Sequence, residues 1–216
     1  MEYPQLVVHS RFYFPSGDIT LQIDNTLLKF YRHFITKEST KLEEIFNSPQ
    51  VDGDETYGSD ARPIILTGDS IEGWSIFLSL LYSDDPLGAR TPHLTHREQI
   101  ELLRIASKHD MNRINYGLLS RIKNSAHTTS GLVTLAVAAD ITDAPELKES
   151  AVEEMAKMEP LPTLEEAQLI GLEATYTVLM AVYDQMKRNE TSLACNGRYF
   201  RLPNPVFCFV CAKKHH

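Results

Sequence analysis

Two short segments on either side of Asp24-Asn25 constrain the fold of this chain most. Asp18-Ile19-Thr20-Leu21-Gln22-Ile23 alternates apolar and polar residues with β-branched enrichment, as a half-buried strand does. Thr26-Leu27-Leu28-Lys29-Phe30-Tyr31 reads as a second strand, and a two-residue link makes the pair a hairpin. The aromatic run Arg11-Phe12-Tyr13-Phe14 comes before it and ends at the turn residues Pro15-Ser16-Gly17. Further on, Ile64-Ile65-Leu66 is a third short run of strand type, reached through a polar loop from Ser48 to Arg62.

Elsewhere the apolar residues take a helical period. Thr40 with Glu43 forms a capping box before Leu42, Ile45 and Phe46, and Asp69 with Glu72 caps a stripe of Ile71, Trp74, Phe77, Leu78 and Leu81. A loop from Ser83 to Leu94, with Pro86, Gly88 and Pro92, separates this unit from a second half that is nearly all helical. There, Thr95 with Glu98 opens a helix, and Met111 to Ile122 forms the next. Leu132 to Ala139 is apolar enough to be buried, and Asp143 caps a helix that has Pro145 in its first turn. Thr163 with Glu166 starts one long helix running to about Lys187. After Asn189 the period disappears.

The 216 residues are 43% hydrophobic and 23% charged, which excludes disordered and collagen-like chains. A net charge of -8 argues against a nucleic-acid surface. The strongest apolar stretch is far below the ~20 residues of a membrane span. Met1-Glu2-Tyr3-Pro4 has neither the basic nor the apolar region of a signal peptide. Three cysteines, all after Leu193, make no disulfide framework. The expectation is an intracellular protein, cytoplasmic or nuclear, that binds neither nucleic acid nor membrane.

Candidate chemistry is sparse. Gly68-Asp69-Ser70-Ile71 superficially matches the serine motif of a lipase-like hydrolase family, but none of the eight histidines has Asp three residues before it. A strand end followed by a helix cap explains the segment. Asp52-Gly53-Asp54-Glu55-Thr56 fails as a calcium loop, because the sixth and twelfth positions counted from Asp52 are Tyr57 and Pro63. No Gly-rich phosphate loop is present, so the chain is expected not to be an enzyme. In the tail, Cys195, Cys208, Cys211 and His215 could supply the four N/S ligands of a zinc ion, which would make the protein a zinc-binding regulator. The alternative is a reduced apolar hairpin in which Val206, Phe207, Phe209 and Val210 pack on the last helix.

The order of these elements resembles a BTB/POZ domain, and specifically the BTB proteins common in basidiomycete fungi. The resemblance is carried by Gly17-Asp18-Ile19-Thr20-Leu21, Leu28 to Ile35, the serine-led Ser39 to Phe46, Trp74 to Tyr82 and Leu102 to Lys108. Leu135-Ala136-Val137-Ala138, Pro162 to Ala167 and Gly171-Leu172-Glu173 resemble the fungal helical extension. What it implies is an α+β fold, a small sheet flanked by helices over residues 10–126 with a helical extension over 127–190; the Cys/His tail over 191–216, hairpin or zinc site, lies beyond the resemblance. It further implies a homodimer in which Asp18 and Arg32 form a charged pocket near an interface that includes Phe12, Phe14 and His33. Stranding one charge of such a buried pair would cost ~3–5 kcal/mol. The family also implies a partner protein and a substrate-adaptor role on a cullin scaffold. This chain departs from the pattern at Tyr31, where the family usually has His. The loop Val51-Asp52-Gly53-Asp54-Glu55 is not a clear match to the apolar-x-Glu motif of cullin adaptors.

Overall fold

The computed structural model describes residues 5–47, 57–83 and 94–195, with side chains through Arg188. The elements run β1 (Val7–Tyr13), β2 (Ile19–Ile23), β3 (Thr26–Phe30), α1 (Arg32–Thr36), α2 (Thr40–Asn47), β4 (Ile64–Ile65) and α3 (Ile71–Leu81). They continue with α4 (His96–Lys108), α5 (Asn112–Ser125), α6 (Thr129–Ile141), α7 (Pro145–Met155), α8 (Leu164–Ile170) and α9 (Leu172–Cys195). This is an α+β architecture. Among the described residues the strands form one mixed sheet in the order β1-β3-β2-β4.

The hairpin is the centre of that sheet. β2 and β3 pair antiparallel from Ile19 opposite Phe30 to Ile23 opposite Thr26, and Asp24 turns the chain at φ 51°. Asp tolerates that left-handed backbone better than most side chains do. β4 joins β2 in parallel, and β1 joins β3 in parallel with a register break between Val8 and Tyr13. β2 is not half-buried as its alternation predicts: Thr20 is buried too. Its hydroxyl donates to Asp60 at 2.7 Å and its amide to the Gly58 carbonyl, so the chain around residues 58–62 covers the face that the pattern assigns to solvent.

Helices close the other face. Phe30 stacks on Trp74 of α3, and Trp74 meets Phe77 edge-on. One buried cluster runs from Phe12 through Trp74, Leu103 and Ala136 to Val178, so the helical second half shares a core with the sheet. α6 lies within it, every residue from Gly131 to Ala139 buried, as an all-round apolar helix requires.

Several local expectations change. The cap of α2 is Ser39, whose hydroxyl accepts from the Leu42 amide, rather than Thr40. Asp143 does not cap α7: it takes φ 53°, and Ala144 precedes Pro145 with no side-chain cap. The long helix expected from Thr163 is two helices, because Gly171 adopts φ 85°, where only glycine is unstrained. Thr175 then bonds back to the carbonyls of Ala167 and Gly171 across the break. α9 continues in backbone past Asn189 to Cys195.

Candidate functional site

Two places concentrate polar or aromatic chemistry. The first is an interior junction. Ser70 rather than Asp69 caps α3, accepting from the Gly73 amide at 3.0 Å, and this frees Asp69 to turn inward. Its Oδ2 accepts from Trp74 Nε1 at 3.0 Å and lies 2.8 Å from His109 Nε2, while Lys108 Nζ stands 2.6 Å from Oδ1. Lys108 also donates to the Thr67 carbonyl. The carboxylate is wholly buried.

Helix ends explain why these groups meet. Asp69 lies at the N-terminus of α3, and Lys108 and His109 lie at the C-terminus of α4, so each charge type faces the favourable pole of a helix dipole. Gly73 lets the two helices approach. A β-carbon there would come within 2.6 Å of Ile105 Cγ1 and 2.9 Å of the Glu101 carbonyl. From the other side, Ser39 Oγ donates to the His109 carbonyl at 2.5 Å and Lys41 Nζ to that of Lys108 at 2.7 Å. Burial would push the Asp69 carboxyl up, but the bonds from His109, Lys108 and Trp74 outweigh it and hold the pKa at about 2.

A cavity of about 380 Å³ opens beside this junction, lined by Gly68, Ser70, Glu101, Arg104 and Lys108 among others. Ser70 makes no hydrogen bond to a histidine there among the described residues. Its hydroxyl donates to Glu101 at 2.5 Å and accepts from the Gly73 amide, while the bond His109 makes goes to Asp69. The Ser70 hydroxyl proton therefore lies on a carboxylate rather than on the histidine base that a lipase-like serine uses. His109 Nδ1 has no hydrogen-bond partner among the described residues.

The second place is the N-terminal face. Asp18 Oδ1 accepts from the Arg32 amide at 2.7 Å, and its Oδ2 lies 3.4 Å from Arg32 Nε. Both side chains are close to half exposed in the single chain, so water screens the pair. Around them Phe14 stacks on Tyr31 and meets Tyr82 edge-on, Phe34 meets Tyr82 in the same way, and His33 packs on Phe34 at 3.9 Å between ring centres. Tyr31 bonds Ser16 through its hydroxyl at 2.6 Å. Phe14 is half-buried and His33 exposed. Phe12, by contrast, is buried in the core, with His9 stacked on it, so its neighbours form the surface. β1 is an edge strand, and Leu6, Val7 and Val8 at its start are each about half exposed.

No protein-family model and no curated protein matches the chain. The acidic loop 52–56 lies outside the described residues, as do Cys208, Cys211, His215 and the side chain of Cys195. Among the described residues no group of three or more His, Cys, Asp or Glu is placed to hold a metal ion. None of their helices is long and apolar enough to cross a membrane. The Asp69–His109 contact escapes sequence reasoning because forty residues separate its partners. The one available signal was the adjacency of Lys108 and His109 at a helix end.

Proposed function

We propose that this protein is a non-enzymatic interaction module, a BTB/POZ-like domain that pairs with a second copy through its N-terminal face. The observation that carries the reading is β1. Among the described residues this edge strand has one unpaired side, exposes Leu6, Val7 and Val8, and ends at the aromatic cluster around Phe14. Exposed apolar edges invite pairing with another chain. The sheet topology supports the BTB-like part: an antiparallel hairpin, a short strand added in parallel, and the Asp18–Arg32 contact at the hairpin's open end. Ser70 bonds Glu101 and Gly73 while His109 bonds Asp69, so the serine is apart from the histidine a lipase-like hydrolase would need, which supports the scaffold reading.

The helical part, α6 to α9, is the surface we assign to a further protein, in keeping with a substrate adaptor for a cullin-type ligase. Sedimentation equilibrium of Val7→Lys/Val8→Lys tests the pairing. Both positions are exposed, so the fold persists, and the variant should have half the mass of the parent. An unchanged mass would overturn the N-terminal reading.

A further inference from the structure

We infer that α9 carries a second self-association surface, on which two copies of this chain pair as an antiparallel two-helix coiled coil. The buried side of α9 is Ala174 and Val178, with Val182 packed against the core. On the opposite side stand Leu172, Tyr176, Leu179, Tyr183 and Met186, all between 50% and 86% exposed. Their spacings are four, three, four and three residues, the alternation of a coiled-coil seam. The stripe is about 21 Å long at 1.5 Å per residue. A surface helix that only covers its own core has no cause to repeat large apolar side chains on the solvent side at this period.

Charge complementarity selects the occupant and its direction. With the seam residues at the a and d positions, exposed Glu173 and Lys187 both flank it at e. Two copies side by side in parallel set Lys187 against Val182 of the second copy and leave Glu173 without an opposite charge. Turned antiparallel, with Tyr176 level with Met186 and Leu179 level with Tyr183 of the second copy, Glu173 falls beside Lys187 of the second copy. The two-fold axis makes that pair twice, as an isologous contact does. Lys187 already leans over the Tyr183 ring, its nitrogen 4.8 Å from the centroid, at the rim of the seam.

This surface is separate from β1, and sedimentation equilibrium of the full chain distinguishes the two. Leu179→Glu is on the exposed side, so circular dichroism should be unchanged. It should raise the dissociation constant at least ~100-fold, since each pair loses two buried apolar side chains. Glu173→Lys should weaken pairing, and adding Lys187→Glu should restore it, which a general loss of stability would not do. If the parent is a tetramer that Leu179→Glu reduces to a dimer, both surfaces operate. If a dimer becomes a monomer, the inference stands and the N-terminal reading fails. A mass that Leu179→Glu leaves unchanged overturns the inference. That includes the case in which the variant exposes residues 196–216 to protease, which would mean the chain's own tail covers the seam. A parent that is monomeric at micromolar concentration also overturns it.

Discussion

Asp69 and Asp18 each sit beside a cation at the start of a helix, yet they belong to different physical regimes. Asp69 is wholly buried at the α3–α4 junction, with an indole, an imidazole and an ammonium on its two oxygens. Asp18 is nearly half exposed at the end of the hairpin and shares the Arg32 cation with water. The same carboxylate chemistry therefore ties α3 to the end of α4 in one region and leaves a solvent-accessible charge in the other. Burial, which strengthens every pairwise term and makes every missing partner costly, is the difference.

The sharpest way to break this comparison is to remove both carboxylates in turn. Asp69→Ala strands Lys108, His109 and the Trp74 N–H, and should cost ~3–5 kcal/mol in urea unfolding. Equal losses from Asp69→Ala and Asp18→Ala would show that the two regions do not differ. Gly73→Ala attacks the junction through its backbone. Its β-carbon would collide with Ile105 and the Glu101 carbonyl, so α3 must move off α4 at ~1–3 kcal/mol. A melting temperature equal to the parent's would mean that the close approach is not needed.

Acid sharpens the comparison further. The Asp69 pKa is about 2 when folded, against an ordinary 3.8. A depressed carboxylate stabilises the fold fully above its unfolded pKa and loses that contribution as pH falls through the folded one. About 2 kcal/mol should therefore vanish between roughly pH 5 and pH 2. Asp69→Asn should flatten that slope. Part of it will remain, because Lys29 holds Asp60, the Thr95 amide holds Glu98 and Ser130 holds Glu166 below the usual carboxylate range. An unchanged acid limb would remove Asp69 from the account.

Ser70→Ala removes the α3 cap and should cost ~0.5–2 kcal/mol with self-association intact. Esterase activity in the parent that this change abolishes would instead make the junction a catalytic site. The smallest effect is expected for Asp18→Ala in a dissociated chain, under ~1 kcal/mol by chemical denaturation. A much larger loss at concentrations where copies associate would place the Asp18–Arg32 pair at an interface.

Local signals were legible where the partners are near in sequence. The capping boxes Thr95/Glu98 and Thr163/Glu166 form as their spacing requires, and Asp24-Asn25 turns the hairpin. Capping fails as a guide where tertiary bonds compete. Asp69 follows the capping pattern but has better donors inside, so Ser70 takes the cap. Ser39 displaces Thr40 because its hydroxyl also reaches the His109 carbonyl. Gly171 was visible as a residue, but nothing around it announced that the helix would stop there.

From the sequence alone came the hairpin, the helical second half and the burial of α6, because period and turn chemistry act over a few residues. The tertiary structure alone decided which side of α9 faces water, where Thr20 finds a partner and what Asp69 binds. Those outcomes depend on which surfaces the chain brings together across tens of residues, and no local pattern encodes that distance.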